Sequence, residues 1–131
     1  MPMNPDHELL KGNTPTLVLA VLKEQQLHGY AIAREIERRS SNVLRCKEGT
    51  LYPTLHALER DRLVTGAWEK DDRGRNRKVY TITAAGLTAL DHGRQTWTNF
   101  ASAIEQVLGD ISHEEISTPK TRTGILPNPA V

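Results

Sequence analysis

Leu63-Val64-Thr65-Gly66-Ala67-Trp68-Glu69 and Lys78-Val79-Tyr80-Thr81-Ile82-Thr83 flank Lys70-Asp71-Asp72-Arg73-Gly74-Arg75-Asn76-Arg77. The two flanks are short and rich in β-branched and aromatic residues, and the polar segment between them centres on a turn-forming glycine. That combination predicts a β-hairpin with a loop longer than a tight two-residue turn. It decides the fold because the sequence on both sides has a helical period.

Upstream, Thr14 can cap a helix and Pro15 suits its first position, where the missing N–H costs nothing. Leu17, Val18, Val21 and Leu22 then recur at helical spacing, up to a loop over Gln25–Gly29. A second helix is expected from about Tyr30 to Ser40, with Ile32 and Ile36 on its buried stripe and a Glu35–Arg39 pair on its surface. A third opens at Gly49 and Thr50 and runs to about Arg62, burying Leu51, Leu55 and Leu58, with Pro53 in its first turn. Three helices followed by a two-stranded ribbon give a mainly α chain with a small β-hairpin (α+β), in the order of a winged helix-turn-helix.

Downstream, a helical pattern continues from Ala84 to about Ile111. Leu87, Leu90, Arg94, Trp97, Ala101, Ile104, Leu108 and Ile111 are spaced alternately by three and four, and only Arg94 among them is polar. A 3.5-residue repeat of that extent describes a helix about 42 Å long, more than three short helices can cover, so it is expected to pair with a second copy. Phe100 and Val107 widen the stripe. The expected organisation is a flexible N-terminus over 1–8, a winged helix-turn-helix over 9–83, a dimerisation helix over 84–111 and a disordered tail over 112–131.

With 131 residues, 37% apolar and 25% charged, the chain fits one soluble globular domain with some polar tail. The apolar run Leu17–Leu22 is far too short to cross a bilayer, and no secretory pattern is visible, so a cytoplasmic location is expected. Net charge is only +1, but segments 34–62 and 63–83 each carry +2 while 1–33 carries −1 and 84–131 carries −2. A local basic surface matters more than overall pI for holding phosphates.

The side of the third helix opposite its leucines presents Gly49, Pro53, His56, Ala57 and Arg60, with Tyr52 and Glu59 on a flank. Small residues near a helix N-terminus let a phosphate backbone approach, and His56 and Arg60 can donate to bases or phosphates; a merely solvated face is the plain alternative. Arg73, Arg75, Arg77 and Lys78 crowd the hairpin loop, softened by Asp71 and Asp72, and suit phosphates or a narrow minor groove. Trp97 lies on the long-helix seam, either as packing or beside a cavity for a flat apolar ligand. Trp68 reads as a strand aromatic packed on the helices. Cys46 sits beside Arg45 and Lys47, which favour a thiolate, but a buried, inert thiol is the reading adopted here. His7, His28, His56, His92 and His113 lack metal-ligand spacing, no cofactor motif or catalytic constellation is present, and the chain is not expected to be an enzyme.

Four motifs then stand in order: Leu10-Lys11-Gly12 with Thr16-Leu17-Val18-Leu19; His28-Gly29-Tyr30-Ala31-Ile32; Glu48-Gly49-Thr50-Leu51-Tyr52-Pro53 with Leu55 and Leu58-Glu59; and Arg77-Lys78-Val79-Tyr80-Thr81-Ile82-Thr83 with Gly86. Across about residues 9–90 the chain resembles the PadR family of transcriptional regulators. One departure is Arg62, which adds charge at a corner where relatives often carry glycine. The resemblance implies a winged-helix DNA-binding domain and a C-terminal helix that dimerises, and the 3.5-residue spacing puts Leu87, Leu90, Trp97, Ala101, Ile104 and Leu108 on its expected interface. It places Thr50, Tyr52, Pro53 and His56 on the recognition helix, Tyr30 on the helix before, and Arg73, Arg75, Arg77 and Lys78 on the wing; with Arg60 from the exposed helix face, these are the expected operator contacts. Such proteins usually repress a nearby operon and release it when an effector binds. The single terminal helix resembles that of the short subgroup, which includes multidrug sensors, and in one of these a tryptophan at the position of Trp97 stacks on planar drugs between subunits. The expected partners are therefore operator DNA, a second copy and a small aromatic or apolar effector. The alternative is a winged-helix module that binds another protein and no DNA.

Overall fold

The computed structural model describes residues 7–109. Four helices, α1 (His7–Glu24), α2 (Gly29–Arg39), α3 (Glu48–Arg60) and α4 (Ala84–Leu108), accompany three strands, β1 (Leu27–His28), β2 (Val64–Lys70) and β3 (Asn76–Ile82). The strands form one antiparallel sheet in the order β1-β3-β2. This is the α+β arrangement that the sequence predicts, with one strand more. Two compact units are distinguishable, Met1–Arg94 and Gln95–Val131. The proposed tail and Ile111 lie outside the described residues, as does most of the proposed flexible N-terminus.

The core of the first unit is the predicted one: Val18, Val21, Leu22, Ile32, Ile36, Leu51, Leu55 and Leu58 are all buried, joined by Val64 and Tyr80 from the sheet. Apolar residues three and four apart put one stripe of each helix inward, and that stripe is what holds helices this short in place.

Three local expectations are corrected. The first helix begins at His7, not at Thr14. Thr14 is fully buried within it and donates its hydroxyl to the Leu10 carbonyl at 2.8 Å, so it caps nothing. Pro15 is tolerated in the interior because it is exposed and the Lys11 carbonyl it leaves without an N–H partner belongs to an exposed turn that water can reach. Pro53 likewise falls in the second turn of α3, whose N-cap is Lys47, and it frees the carbonyl of exposed Gly49. Finally, the segment after α1 contains β1, whose Leu27 and His28 pair with Tyr80 and Val79 and give the hairpin a third strand.

Arg62 explains its own oddity. The Arg62 N–H donates to the Glu59 carbonyl at 3.0 Å and the Leu63 N–H to the Leu58 carbonyl at 2.9 Å. These bonds close α3 as a Schellman motif, which places Arg62 at φ 63°, the left-handed region. A side chain there costs roughly 1–2 kcal/mol, part of which glycine returns as unfolded-state entropy. Arg62→Gly is therefore expected to raise stability by about 0.5–1 kcal/mol, read as a higher urea midpoint at unchanged m. An unchanged or lower midpoint would show that the arginine makes a compensating contact.

Candidate nucleic-acid interface

With Leu51, Leu55 and Leu58 turned inward, α3 exposes Gly49, Pro53, His56 and Arg60, while Thr50 and Ala57 are half-buried. Lys47 provides no side-chain cap, and its carbonyl takes the Thr50 and Leu51 N–H groups at 3.0 and 2.8 Å, so it is the Glu48 and Gly49 N–H groups of the first turn that face where an anion could sit. Tyr52 is half-buried, and its ring lies so close over Gly29 that a β-carbon there would come within 2.7 Å of the hydroxyl. The tyrosine thus locks α3 to the start of α2, and the buried glycine makes the approach possible.

On α2, Tyr30 is exposed and accepts a hydrogen bond from Arg34 Nη1 at 2.8 Å. Glu35 holds two arginines, Arg38 at 2.7 Å and Arg39 at 2.8 Å, the second being the predicted pair. Hydrogen bonds from Arg38 and then Arg39 lower the Glu35 carboxyl to about 2, so it stays ionised at neutral pH. An open groove of about 790 Å³ runs along this helix face, walled by Leu27, His28, Tyr30, Arg34 and Arg38. Burial, and then the charge of Arg77, push the His28 imidazole down from its usual value.

Asp71 organises the hairpin tip. Its Oδ1 accepts from the Arg73 and Arg75 N–H groups, each at 2.9 Å, and its Oδ2 pairs with Arg75 Nε at 3.2 Å. The bond from the Arg75 backbone is the main cause of its lowered carboxyl pKa. Gly74 completes the turn at φ 81°. In the sequence Asp71 looks like a charge offset; in the structure it is the hub that displays the arginines. Arg73, Arg75 and Arg77 are all exposed.

Lys78 behaves differently from its neighbours. Its Nζ lies 2.8 Å from Glu59 Oε1 on α3, and the two side chains are only 25% and 32% exposed. The hydrogen bond to Glu59 is the chief reason its pKa is raised. Trp68, expected to pack on the helices, is 70% exposed. It shares a face with Val64 and Gly66, but by its position the hairpin has outrun the helices, and the Lys78 ammonium lies over its ring, 6.0 Å from the centroid.

In the second unit, Trp97, Phe100, Ile104, Val107 and Leu108 are exposed, Ala101 is half-buried, and the Trp97 and Phe100 rings lie 6.0 Å apart. Leu87, in the first unit, is exposed. Leu90 is withdrawn from the proposed seam: at 1% exposure it belongs to the core of the first unit and has no surface left for a partner. Cys46 is buried, and burial followed by the Glu37 charge pushes its thiol up, which disfavours the reactive thiolate. Among the described residues no helix is long and apolar enough to cross a membrane, and no three potential metal ligands cluster.

The structure therefore joins the α3 face and the arginine hairpin within one unit, through a residue pair that sequence reading did not connect. Glu59 and Lys78 are nineteen positions apart, and only Gly66, a gap in the strand between them, hinted at the path. Comparison with known proteins agrees with this architecture. Residues 18–92 match the model of the transcriptional regulator PadR-like family. The transcriptional regulator Rv3488 of Mycobacterium tuberculosis is 39% identical over 90 residues, covering 69% of this chain and 78% of that protein. A PadR family transcriptional regulator from Eggerthella lenta superposes with TM-score 0.67 at 28% identity, over 77% of this chain and 86% of the other. A transcriptional regulator from Clostridium thermocellum shares the fold with TM-score 0.71 at 23% identity, over 77% and 95% of the two chains.

Proposed function

This chain belongs to the PadR-like family of transcriptional regulators, which bind DNA, and we propose that it acts as a homodimeric, ligand-responsive repressor on a palindromic operator. The observation that carries the DNA reading is the pairing of an exposed polar α3 face with a hairpin tip whose Asp71 hub presents Arg73, Arg75 and Arg77 to solvent. In this reading α3 enters the major groove, with Thr50, Pro53, His56 and Arg60 towards the bases and backbone. Tyr30 reaches a phosphate from α2, and the hairpin follows the adjacent backbone. Tyr52 acts at the same surface through its packing on Gly29.

Two copies would pair through Leu87, Trp97, Ala101, Ile104 and Leu108. A two-fold protein then demands half-sites about 34–36 Å apart, or a multiple of that. Occupancy of such a site obstructs polymerase. The exposed Trp97–Phe100 pair supports an effector site for a flat apolar molecule between subunits. By linkage the effector must bind the DNA-free form better, and a coupling of ~1–3 kcal/mol is typical.

The hairpin contribution is tested by measuring affinity for the protein's own upstream DNA against salt. Arg75→Ala with Arg77→Ala is expected to weaken binding to all sequences and to flatten the log–log salt slope by about 1.8, two phosphate contacts' worth. An unchanged slope removes the wing from the reading. Repeating the measurement with planar compounds, and following Trp97 quenching, tests the effector.

A further inference from the structure

The Glu59–Lys78 pair is built differently from the other ion pairs. Arg38 and Arg39 meet Glu35 within α2, and Arg75 meets Asp71 within one turn. Lys78 instead reaches from β3 across β2 to the last turn of α3. It can do so only because position 66 carries no side chain: a β-carbon there would come within 2.5 Å of Lys78 Cε and 3.2 Å of Glu59 Oε2. The lysine stem therefore fills the space over Gly66, and its ammonium comes to rest on the carboxylate, 5.7 Å from the Tyr80 ring centroid and 6.0 Å from that of Trp68. Three elements supply a seat for one cation.

We propose that Glu59 and Lys78 form a latch that fixes the hairpin at a set angle to the recognition helix, and that Lys78 is a positioning residue, not a phosphate contact. This rests on the DNA-binding reading only for its effect on affinity. The alternation of β3 supports the division of labour. Arg77 and Lys78 are adjacent and so leave opposite faces of the strand: Arg77 is exposed, whereas Lys78 is turned towards α3. The Lys78 ammonium, on a side chain only 25% exposed, has to break its pair with Glu59 before it can hold a phosphate, whereas Arg75 is 71% exposed and meets Asp71 through Nε, which leaves its terminal nitrogens facing outward.

The test compares Glu59→Gln, Lys78→Met and the double variant with wild type, each first checked for folding by its thermal transition. In the free protein, backbone order parameters of residues 71–77 are expected to fall in both single variants, and no further in the double variant. Unchanged order parameters overturn the latch. With the protein's own upstream DNA, both single variants are expected to bind about tenfold more weakly at an unchanged salt slope. The sign for Glu59→Gln is diagnostic, because removing a carboxylate near phosphates should by charge alone tighten binding. Tighter binding by Glu59→Gln, or a slope flattened by about 0.9 in Lys78→Met, makes Lys78 a phosphate contact and overturns the proposal. Lys78→Arg keeps charge and donor and is expected to restore most of the affinity. Should wild type bind no duplex DNA, the DNA reading fails, while the order parameters still judge the latch.

Discussion

The chain carrying Ile104→Glu and Leu108→Glu is expected to sediment as a monomer and to bind a two-half-site operator about a hundredfold to ten-thousandfold more weakly. The reason is the surface left open on the second unit. Trp97, Phe100, Ile104 and Leu108 recur at intervals of three and four along one stripe, and each is between 41% and 63% exposed. Large apolar residues in such a row ordinarily mark an interface, because nothing compensates their contact with water. Glutamates at two seam positions would be buried without partners on pairing, which pairing cannot offset. Once paired, the second winged unit meets its half-site at an effective concentration set by the tether, and losing that advantage accounts for the expected range. Sedimentation equilibrium with anisotropy on one-site and two-site duplexes separates the outcomes. A monomer with full two-site affinity would refute the two-fold reading, and a persistent dimer would place the interface elsewhere. Leu90→Glu is the informative contrast, since a core position should unfold the first unit before it affects association.

Legibility in the sequence followed the physics of each element. The helices α2 and α3 could be read because their buried residues recur on one stripe, and periodicity is a property of sequence alone. The start of α1 could not, because Thr14-Pro15 imitates an N-terminus. Only burial distinguishes a capping threonine from one bonding back to Leu10. A two-residue strand such as β1 has no period to detect and exists only through its pairing with Val79 and Tyr80. Trp68 and Leu90 fail for a shared reason: periodicity tells which side a residue lies on, not how far the neighbouring element extends. The hairpin outruns the helices, leaving Trp68 bare, and the α4 stripe begins inside the core, which claims Leu90. The candidate site was legible as a charge cluster but not as a mechanism. The run Arg77-Lys78 looks uniform until strand alternation and the gap at Gly66 send Lys78 to Glu59.

Gly86→Ala is expected to cost about 3 kcal/mol and to lower the melting temperature by roughly 10 °C, a large effect for one methyl group. Thr83 caps the first turn of α4 by accepting the Gly86 N–H on its hydroxyl at 3.0 Å. The same threonine donates its own N–H to the Leu63 carbonyl at 3.1 Å, so α4 starts directly against the corner that follows α3. A β-carbon at position 86 would collide with that carbonyl oxygen and stand 2.6 Å from Ile82 Cγ1. Flexible side chains could yield, but the obstacle here is backbone. Leu63 is already held by its bond to Leu58, so the strain must either open the Schellman corner or lift the first turn of α4. Lifting it would also disturb the Leu90 contact in the core one turn further on. Gly12→Ala is the matched control, with nothing within 4 Å of the added carbon. There the substitution only improves helix propensity and is expected to stabilise by about 0.5–1 kcal/mol. Opposite signs for the two variants in one denaturation series would establish that Gly86 is required by contact. Equal and small effects would mean that the α3–α4 corner is more yielding than its hydrogen bonds imply.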